Sequence, residues 1–262
     1  MYSQLLDEEI PFIVTDLATA ELVKTSANAF LATKISFINA MAEVCEASGA
    51  DVTVLADAIG HDARIGRRFL NAGIGFGGGG CLPKDIRAFM ARAGELGADQ
   101  ALTFLREVDN INMRRRSRMV ELARDAAGGS LLGARVSVLG AAFKPDSDDV
   151  RDSPALNVAG QIQLQGAAVT VYDPQAMDNS RRLFPTLNYA TSTLEACAGA
   201  DVVLVLTEWK EFRELNPDVL GTVVRGKVVL DGRNCLDVDR WRTAGWQYRG
   251  LGGRAASEAV VG

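Results

Sequence analysis

The stretch "ARVSVLG", residues 134–140, is a short run of mostly apolar residues that ends in glycine. Three similar runs follow it and are rich in valine and leucine: "AAVTVYD" at 167–173, "ADVVLVLT" at 200–207 and "GKVVLDG" at 226–232. Between the first two runs, residues 153–165 have the apolar spacing of a helix. Apolar strands that alternate with helices are typical of α/β proteins with a parallel, doubly wound sheet.

The residues before "GGS" at 128–130 have a helical pattern instead. From Leu17 to Ser48, apolar residues recur at helical spacing, with Asp16 or Thr15 as the starting cap and Gly49 at the end. Shorter helices are expected at 51–59 and 84–96, and a long one at 99–126. The sequence therefore predicts two domains, a helical one over residues 1–127 and an α/β one over residues 128–262.

Composition and charge exclude several classes of protein. Hydrophobic residues make up 48% and charged residues 23% of the chain, as in a soluble globular protein. The net charge of −5 gives no basic surface for nucleic acid, and we interpret "RRRSR" at 114–118 as one face of a long helix. The most apolar stretch, 27–45, is interrupted by Lys34 and Asn39, which argues against a membrane span. Four scattered cysteines without a CxxC pair argue against a zinc site and favour the reducing cytoplasm.

The segment "GIGFGGGGCLPKD", residues 73–85, surrounds one cysteine with glycine. It contains a formal GxGxxG, but that fingerprint is weak here because no strand precedes it and a proline interrupts the residues after it. Cys81 is either a small buried hydrophobic residue or a nucleophile, whose thiolate Lys84 and a helix start at Pro83 would favour. Asp85 is either a base or water-holding group beside that thiol, or an ordinary acid at a helix start.

Two further groups of residues could carry chemistry. Lys24 and Asn28 lie four apart on one helix face, either at the rim of a packed face or as two donors for a developing oxyanion. Lys144 and Arg151 follow the strand that ends at Gly140, and Arg233 follows another strand, so they are placed either to meet phosphates or as ordinary surface charge. The single histidine, His61, is interpreted as structural.

Five segments resemble, in chain order, motifs of the UDP-glucose/GDP-mannose dehydrogenase family: "AELVKTSANAFLATKISFINAMAEVCEASGADV", "RIGRRFL", "GFGGGGCLPKD", "AFKPDSDDVRDSP" and "DGRNCLD". The resemblance covers nearly the whole chain. "DGRNCLD" is more similar to the UDP-glucose branch, and the GDP-mannose branch is the alternative. The resemblance implies a helical central domain that mediates dimerisation, followed by a Rossmann-like domain that binds the UDP-sugar.

The resemblance also implies a reaction, a four-electron oxidation of UDP-glucose to UDP-glucuronate with two NAD. Cys81 would form a thiohemiacetal and then a thioester. Lys24 and Asn28 would stabilise the oxyanion and position water, and Asp85 would assist proton removal and thioester hydrolysis. The UDP-sugar would be held by a larger set, with Arg64 reaching a partner subunit: Arg64, Phe69, Leu70, Phe76, Gly77, Gly78, Lys144 and Arg233. Lys84 and Arg151 would face NAD, and the helix 99–126 would form a homodimer.

Two departures from the family pattern accompany this resemblance. The NAD-binding domain that opens the family's chains has no counterpart here, because only 23 residues precede Lys24; we expect the chain alone to be inactive. Four glycines, 77–80, separate the loop phenylalanine from Cys81, where the family usually has three residues. Two alternatives remain open: a dimeric UDP-sugar-binding module without chemistry, and an α/β domain that itself binds NAD.

Overall fold

The computed structural model describes residues 10–77 and 82–253 of the chain. The N-terminal half of these described residues is helical, with five elements: α1 (Leu17–Ser48), α2 (Val52–Gly60), α3 (Leu82–Glu95), a 3₁₀-helix (Asp99–Leu102) and α4 (Thr103–Ala126). The predicted helix 99–126 is therefore two elements, a 3₁₀ turn and an α-helix. The other three helices agree with the sequence prediction to within about two residues, the usual uncertainty of helix ends.

Helix α1 begins and ends at the predicted residues. The Asp16 carboxylate accepts a hydrogen bond from the Thr19 N–H at 2.8 Å, and Gly49 ends the helix in the left-handed region at φ 75°. Its buried residues recur every three or four positions from Asn28 to Cys45, which gives the helix one packed face. In residues 10–77 and 82–253, no helix has both the length and the apolar character needed to cross a bilayer.

The interpretation of "RRRSR" as one helix face is wrong. Successive residues of an α-helix point about 100° apart, so consecutive arginines cannot share one side. Arg114 is exposed on α4, whereas the next two arginines, Arg115 and Arg116, are buried. Two of these guanidinium groups therefore act inside the protein.

The C-terminal half is built on a sheet of six parallel strands in the order β3-β2-β1-β4-β5-β6. The strands are β1 (Arg135–Leu139), β2 (Ala168–Tyr172), β3 (Asn188–Tyr189), β4 (Val202–Val205), β5 (Val228–Asp231) and β6 (Gln247–Gly250). The parallel, doubly wound sheet predicted from the valine-rich runs is confirmed. The strand order reverses between β1 and β4, and ligands of such sheets bind where the strands end at this point.

Short helices connect the strands: α5 (Pro154–Leu164), α6 (Met177–Leu183), α7 (Thr193–Cys197), α8 (Lys210–Arg213), α9 (Pro217–Leu220) and α10 (Val238–Thr243). Helix α5 is the predicted one; Ser153 caps it by accepting a hydrogen bond from the Leu156 N–H at 3.3 Å. The sequence pattern missed the other connecting helices and the two edge strands, because each is too short to show a period.

Helix α4 joins the two halves. Its N-terminal part packs against α1, while Met119, Val120 and Leu122 in its C-terminal part belong to the same hydrophobic core as the sheet. The glycine-rich segment also reaches this core, since Ile74 is fully buried there and its N–H donates to the Gly232 carbonyl at 2.9 Å. The division at 127/128 stays a prediction.

A carboxylate on α1 ties three parts of the fold together. Glu46 accepts hydrogen bonds from Arg115 at 2.7 Å, from Arg118 at 2.8 Å and from the Gly252 N–H at 3.0 Å. Burial alone would raise the pKa of the Glu46 carboxyl, but the hydrogen bonds and charges of Arg115 and Arg118 hold it below its ordinary value. The ionised carboxylate is therefore the form that stabilises the fold.

We predict that Glu46→Gln lowers the free energy of unfolding at neutral pH by about 2–4 kcal/mol, because it leaves the buried Arg115 without its counter-charge. A group with a lowered folded pKa stabilises above its unfolded pKa, about 4.3, and loses that effect as the pH falls through the folded value. The difference between wild type and variant should therefore shrink at acidic pH. Urea denaturation at neutral pH and at about pH 3.5 measures both effects.

Glu43→Gln, one turn earlier on α1, is the matched control. Glu43 pairs with the exposed Arg114 at 3.5 Å, so we expect a loss below about 1 kcal/mol. Equal losses for the two variants, or a Glu46→Gln effect that does not change with pH, would contradict this account of the Glu46 contacts.

Candidate active site

Three of the residues predicted to be catalytic form one hydrogen-bonded chain. The Lys24 ammonium donates to Asn28 Oδ1 at 3.2 Å, and Asn28 Nδ2 donates to Asp85 Oδ2 at 2.6 Å. Asn28 is buried, whereas Lys24 is exposed at the end of the chain of contacts. The spacing of four on α1 brings lysine and asparagine together, and the packing of α3 on α1 adds the carboxylate. A cation, an amide and a possible proton acceptor are thus side by side.

The predicted nucleophile, Cys81, and the predicted substrate contact Gly78 lie outside the described residues. The chain resumes at Leu82, where α3 begins, and Asp85 lies in the first turn of that helix as expected. The roles of Cys81, Lys24, Asn28 and Asp85 stay predictions. The structure adds that the side chains of Lys24, Asn28 and Asp85 are hydrogen-bonded in sequence.

A cleft of about 480 Å³ lies between the two halves of the protein. Five residues predicted to hold the nucleotide sugar line it: Phe69, Phe76, Gly77, Lys144 and Arg233. The first three come from the helical half, and the other two follow β1 and β5. The cleft therefore lies at the carboxyl ends of the strands, beside the point where the strand order reverses.

Arg233 is the most constrained basic group of the cleft. Its Nε donates to the Leu206 carbonyl at 2.9 Å and its Nη1 to the Gly75 carbonyl at 3.2 Å, so it bridges the two halves. The carboxylate of Glu208 lies 3.3 Å from Nε, and within the described residues its Oε2 has no hydrogen bond. Two carbonyl groups and the Glu208 carboxylate therefore hold the guanidinium at the cleft.

The loop that carries Arg233 is held by a buried carboxylate. Asp231, at the end of β5, accepts hydrogen bonds from the N–H groups of Arg233, Cys235 and Leu236 at 3.0, 2.8 and 2.8 Å, and from the Tyr248 hydroxyl at 3.1 Å. Burial raises the pKa of Asp231, although these hydrogen bonds oppose the shift. The "DGRNCLD" segment is therefore a fixed turn that presents Arg233 to the cleft.

Phe69 has an unusual backbone at the rim of the cleft. Its φ is 66°, in the left-handed region that a bulky residue rarely adopts. Such strain is retained where the surrounding structure demands it, often at ligand sites. Here it leaves the phenylalanine side chain 42% exposed at the cleft rather than packed in the core.

Three of the glycines before Cys81, Gly73, Gly75 and Gly77, lie in close contact with other parts of the protein. A Cβ at Gly73 would lie 2.6 Å from the Gly232 carbonyl oxygen, and one at Gly77 would lie 2.3 Å from Pro154 Cδ. Gly75 has φ 90°, and its Cβ would lie 2.1 Å from the Asn112 side chain. These three described glycines are required by close contacts with their own chain.

Four predicted residues lie elsewhere. Arg64 is exposed and paired with Asp62 at 2.6 Å, and Arg151 is exposed and paired with Asp149 at 2.8 Å. In each pair the hydrogen bonds to the carboxylate raise the pKa of the arginine. Lys84 lies on the exposed side of α3, and Leu70 is buried in a hydrophobic cluster with residues of α1 and α2. The substrate or NAD contacts predicted for these four stay predictions.

Sequence reasoning missed four polar residues of the cleft: Asn39, Arg68, Asn71 and Glu208. Glu208 follows β4 in the same way that Lys144 follows β1, and that position was a signal that could have identified it. Asn39 is fully buried at the cleft wall, where its Oδ1 accepts a hydrogen bond from the Gly73 N–H at 2.9 Å; among the described residues its Nδ2 has no partner. It lies on the same side of α1 as Asn28, eleven residues further on, because eleven residues make about three helical turns.

The α/β half does not offer a dinucleotide site at its first loop. In dinucleotide-binding folds the loop after the first strand faces the pyrophosphate. Here the N–H groups of Ala141 and Ala142 donate to the buried Asp173 carboxylate at 2.8 and 2.9 Å, and Trp209 Nε1 joins them at 3.0 Å. A pyrophosphate would meet a negative charge at this place. Within the described ranges, histidine, cysteine and acidic side chains also form no group of three that could hold a metal ion.

Comparisons with known proteins agree with this geometry. The model of the UDP-glucose/GDP-mannose dehydrogenase family, central domain, matches residues 18–114. The model of the same family's UDP binding domain matches residues 137–238, which include the last three residues of β1, all of β5 and the residues that follow them into the cleft. These two regions carry both walls of the cleft.

Individual relatives match nearly all of this chain and are themselves longer. UDP-glucose 6-dehydrogenase of Rhizobium meliloti is 40% identical over 252 residues, which are 96% of this chain and 57% of that protein. A UDP-glucose dehydrogenase of Pyrobaculum islandicum has a TM-score of 0.82 at 37% identity, over 96% of this chain and 56% of that one. A UDP-D-ManNAc dehydrogenase of Pyrococcus horikoshii has a TM-score of 0.78 at 28% identity, over 95% and 57%. The chain belongs to the UDP-glucose/GDP-mannose dehydrogenase family and carries its central domain and its UDP binding domain.

Proposed function

We propose that this chain supplies the nucleotide-sugar cleft and the nucleophile of an enzyme that oxidises UDP-glucose to UDP-glucuronate. The observation that carries the proposal is the cleft between the halves, in which aromatic residues and a glycine-rich backbone from one half face Lys144 and Arg233 from the other. The chain spans a little over half the length of the relatives it matches. The complete reaction is therefore proposed for the longer protein.

The cleft suits a nucleoside diphosphate. Arg233 lines it with an orientation fixed by carbonyl groups, and Lys144 and Arg68 line it as well. Three basic side chains against the one carboxylate of Glu208 give the lining a net positive charge, which favours a diphosphate. Phe69 and Phe143 line the same cleft and offer apolar ring surface to a base or sugar.

The chemistry proposed for the other site residues follows from their types and contacts. Attack of the Cys81 thiolate on an aldehyde at C6 of the sugar would form a carbon–sulfur bond and an alkoxide, giving a thiohemiacetal after protonation. Lys24 and Asn28 would stabilise that oxygen, since both are hydrogen-bond donors. After oxidation to a thioester, Asp85 would take a proton from water as the carbon–sulfur bond breaks, releasing the carboxylate and the thiol.

NAD is the electron acceptor that the family resemblance implies, and two molecules of it would each accept one hydride in the complete enzyme. The first loop of the α/β half does not fit that cofactor, because it holds the Asp173 carboxylate where a pyrophosphate would lie. We therefore assign no hydride step to this chain. We propose that cofactor binding belongs to a further domain of the longer protein.

A binding module without chemistry is the second candidate. It is favoured by the same cleft together with the first loop of the α/β half, where the Asp173 carboxylate occupies the place of a pyrophosphate. A GDP-mannose dehydrogenase remains the alternative within the family. The identity of the base and of the sugar distinguishes these possibilities.

A homodimer through residues 99–126 stays a prediction. Two helices, α4 and α1, have exposed surfaces that could form the dimer interface. The exposed side of α4 is mainly charged, with Phe104 and Met113 as its large apolar residues. Helix α1 exposes an apolar row with a spacing of seven: Val23, Phe30, Phe37 and Val44. A row that repeats every two turns gives a continuous stripe of the kind that helices use to pair.

We predict that calorimetric titration with UDP-glucose gives a binding heat and that titration with NAD gives none. Lys144→Ala should weaken UDP-glucose binding by about tenfold, because it removes one charge-assisted contact to phosphate. GDP-mannose should bind more weakly than UDP-glucose. Binding of NAD would overturn the assignment of the α/β half, and tighter binding of GDP-mannose would favour the other branch of the family.

Arg225→Ala is the control for this titration. Arg225 is an exposed cation that pairs with Asp201 at the opposite edge of the sheet, so its removal should leave UDP-glucose affinity unchanged. An equal loss in Arg225→Ala and Lys144→Ala would show that general charge, rather than the cleft, attracts the ligand. With NAD and UDP-glucose together, we expect the chain to produce no NADH absorbance.

We predict that a charged substitution distinguishes the two dimer surfaces. If α4 forms the contact, Phe104→Asp should convert a dimer to a monomer and Phe30→Asp should not, because a carboxylate placed in an apolar interface loses its hydration. Sedimentation velocity measures the outcome. The reverse result would move the interface to α1, and monomers in the wild type would refute the dimer.

A further inference from the structure

We propose that Asn112 and Arg116, on α4, are positioning residues that hold Phe76 and Gly77 and so fix the point where the chain enters residues 78–81. The inference rests on the proposed function, because it concerns the placement of the segment that contains Cys81. We call the two residues the loop clamp. Neither was among the residues predicted from the sequence.

The Asn112 side chain binds both backbone polar groups of Phe76, its N–H and its carbonyl. Its Oδ1 accepts a hydrogen bond from the Phe76 N–H at 2.7 Å, and its Nδ2 donates to the Phe76 carbonyl at 3.0 Å. The amide thus takes the place of a partner strand for this extended residue. Asn112 is 1% exposed, so water does not compete for these bonds.

Arg116, one turn further along α4, holds the same carbonyl. Its Nη2 donates to the Phe76 oxygen at 3.2 Å, and its Nη1 lies 3.2 Å from Asp152 Oδ1. The guanidinium is 2% exposed, and in the part of the chain that the structure describes its Nε has no partner. Burial lowers the pKa of Arg116, while the charge of Asp152 opposes the shift. A buried cation with a single ion pair and an unpaired N–H contributes little to the free energy of folding. This favours a positioning role for Arg116.

The loop clamp also connects the glycine segment to the α/β half. Asp152 precedes α5 with φ 48°, and its carbonyl oxygen lies where a Cβ of Gly77 would come within 2.4 Å. The loop that leads to Asp152 begins after β1 and contains Lys144. Arg116 therefore fixes the position of the glycine segment relative to the loop that carries a proposed phosphate contact.

Four residues, 78–81, separate this clamped point from the start of α3. The far side is also fixed, because Asp85 in the first turn of α3 is hydrogen-bonded to Asn28. Along the chain, Cys81 is next to the first residue of α3 and four residues after Gly77, so both fixed ends lie near it in sequence. Since a misplacement of about 1 Å can cost a hundredfold in rate, the clamp bears directly on the proposed reaction.

The test measures Cys81 itself and needs no turnover. Wild type, Asn112→Ala and Arg116→Lys are each saturated with UDP-glucose, at concentrations scaled to their own calorimetric affinities. Iodoacetamide is added, and alkylation of the Cys81 peptide is followed by mass spectrometry. The other cysteines interfere little, because Cys45 and Cys197 are buried and burial raises the pKa of the Cys235 thiol. In wild type we expect UDP-glucose to slow the alkylation of Cys81. The factor by which it slows alkylation should fall by about tenfold in both variants, because each loses one or two net hydrogen bonds to the Phe76 backbone.

Asn110→Ala is the matched control, since Asn110 is exposed on the same helix and its side chain donates to the exposed Glu107 rather than to the glycine segment. In Asn110→Ala, UDP-glucose should protect Cys81 from alkylation to the same extent as in the wild type. Should Asn112→Ala fail to fold, Asn112→Asp keeps the shape and the acceptor while removing the donor to the Phe76 carbonyl. Full protection of Cys81 in every saturated variant would overturn the loop clamp and leave the proposed function intact. A wild type that binds no UDP-glucose would overturn the proposed function instead.

Discussion

The cleft exists because the glycine-rich segment approaches the end of β5 closely enough for direct hydrogen bonds. The Ile74 N–H reaches the Gly232 carbonyl at 2.9 Å, and Arg233 reaches back to the Gly75 carbonyl at 3.2 Å. These contacts place the wall formed by Phe76 and Gly77 opposite the loops that follow the strands. A side chain at Gly73 would collide with the same carbonyl and separate the two halves. The geometry of the ligand site thus depends on contacts between backbones.

Electrostatic arrangement at the site follows from the same contacts. Arg233 is oriented by uncharged carbonyl groups, and the turn that carries it is organised by the buried Asp231. Arg233 also has a carboxylate neighbour, Glu208 at 3.3 Å, and both side chains line the cleft. Arg64 and Arg151 pair with carboxylates at 2.6 and 2.8 Å, and neither lines the cleft. Their position, rather than the absence of a carboxylate partner, distinguishes these arginines.

Much of the fold could be predicted from the sequence, and the failures have physical reasons. The helix from Leu17 to Ser48 and the valine-rich strands have long or strongly apolar patterns, and both are located correctly. The edge strands β3 and β6 are short and partly polar, so a pattern of apolar residues does not reveal them. Consecutive arginines on α4 are misread because their burial depends on the partners Glu46 and Asp152, which are distant in sequence.

The candidate site shows the same division. Lys24 and Asn28 could be paired from their spacing of four, but the contact with Asp85 required the packing of α3 on α1. Asn112 and Arg116 have that same spacing of four, and it was a usable signal. The neighbouring arginines obscured it, because they suggested an exposed surface. The sequence alone also cannot show which part of the chain Gly73, Gly75 and Gly77 must approach.

Helix α4 has a mechanical consequence for how a ligand enters. Its 24 residues span about 36 Å as one unbroken rod, anchored in the helical half at one end and in the core of the sheet at the other. A hinge between the halves would have to bend this rod or break the bonds of Ile74 and Arg233. The two halves are therefore expected to move as one body. Access to the cleft then depends on rim side chains such as Phe69 and Lys144, which can change rotamer while the walls stay in place.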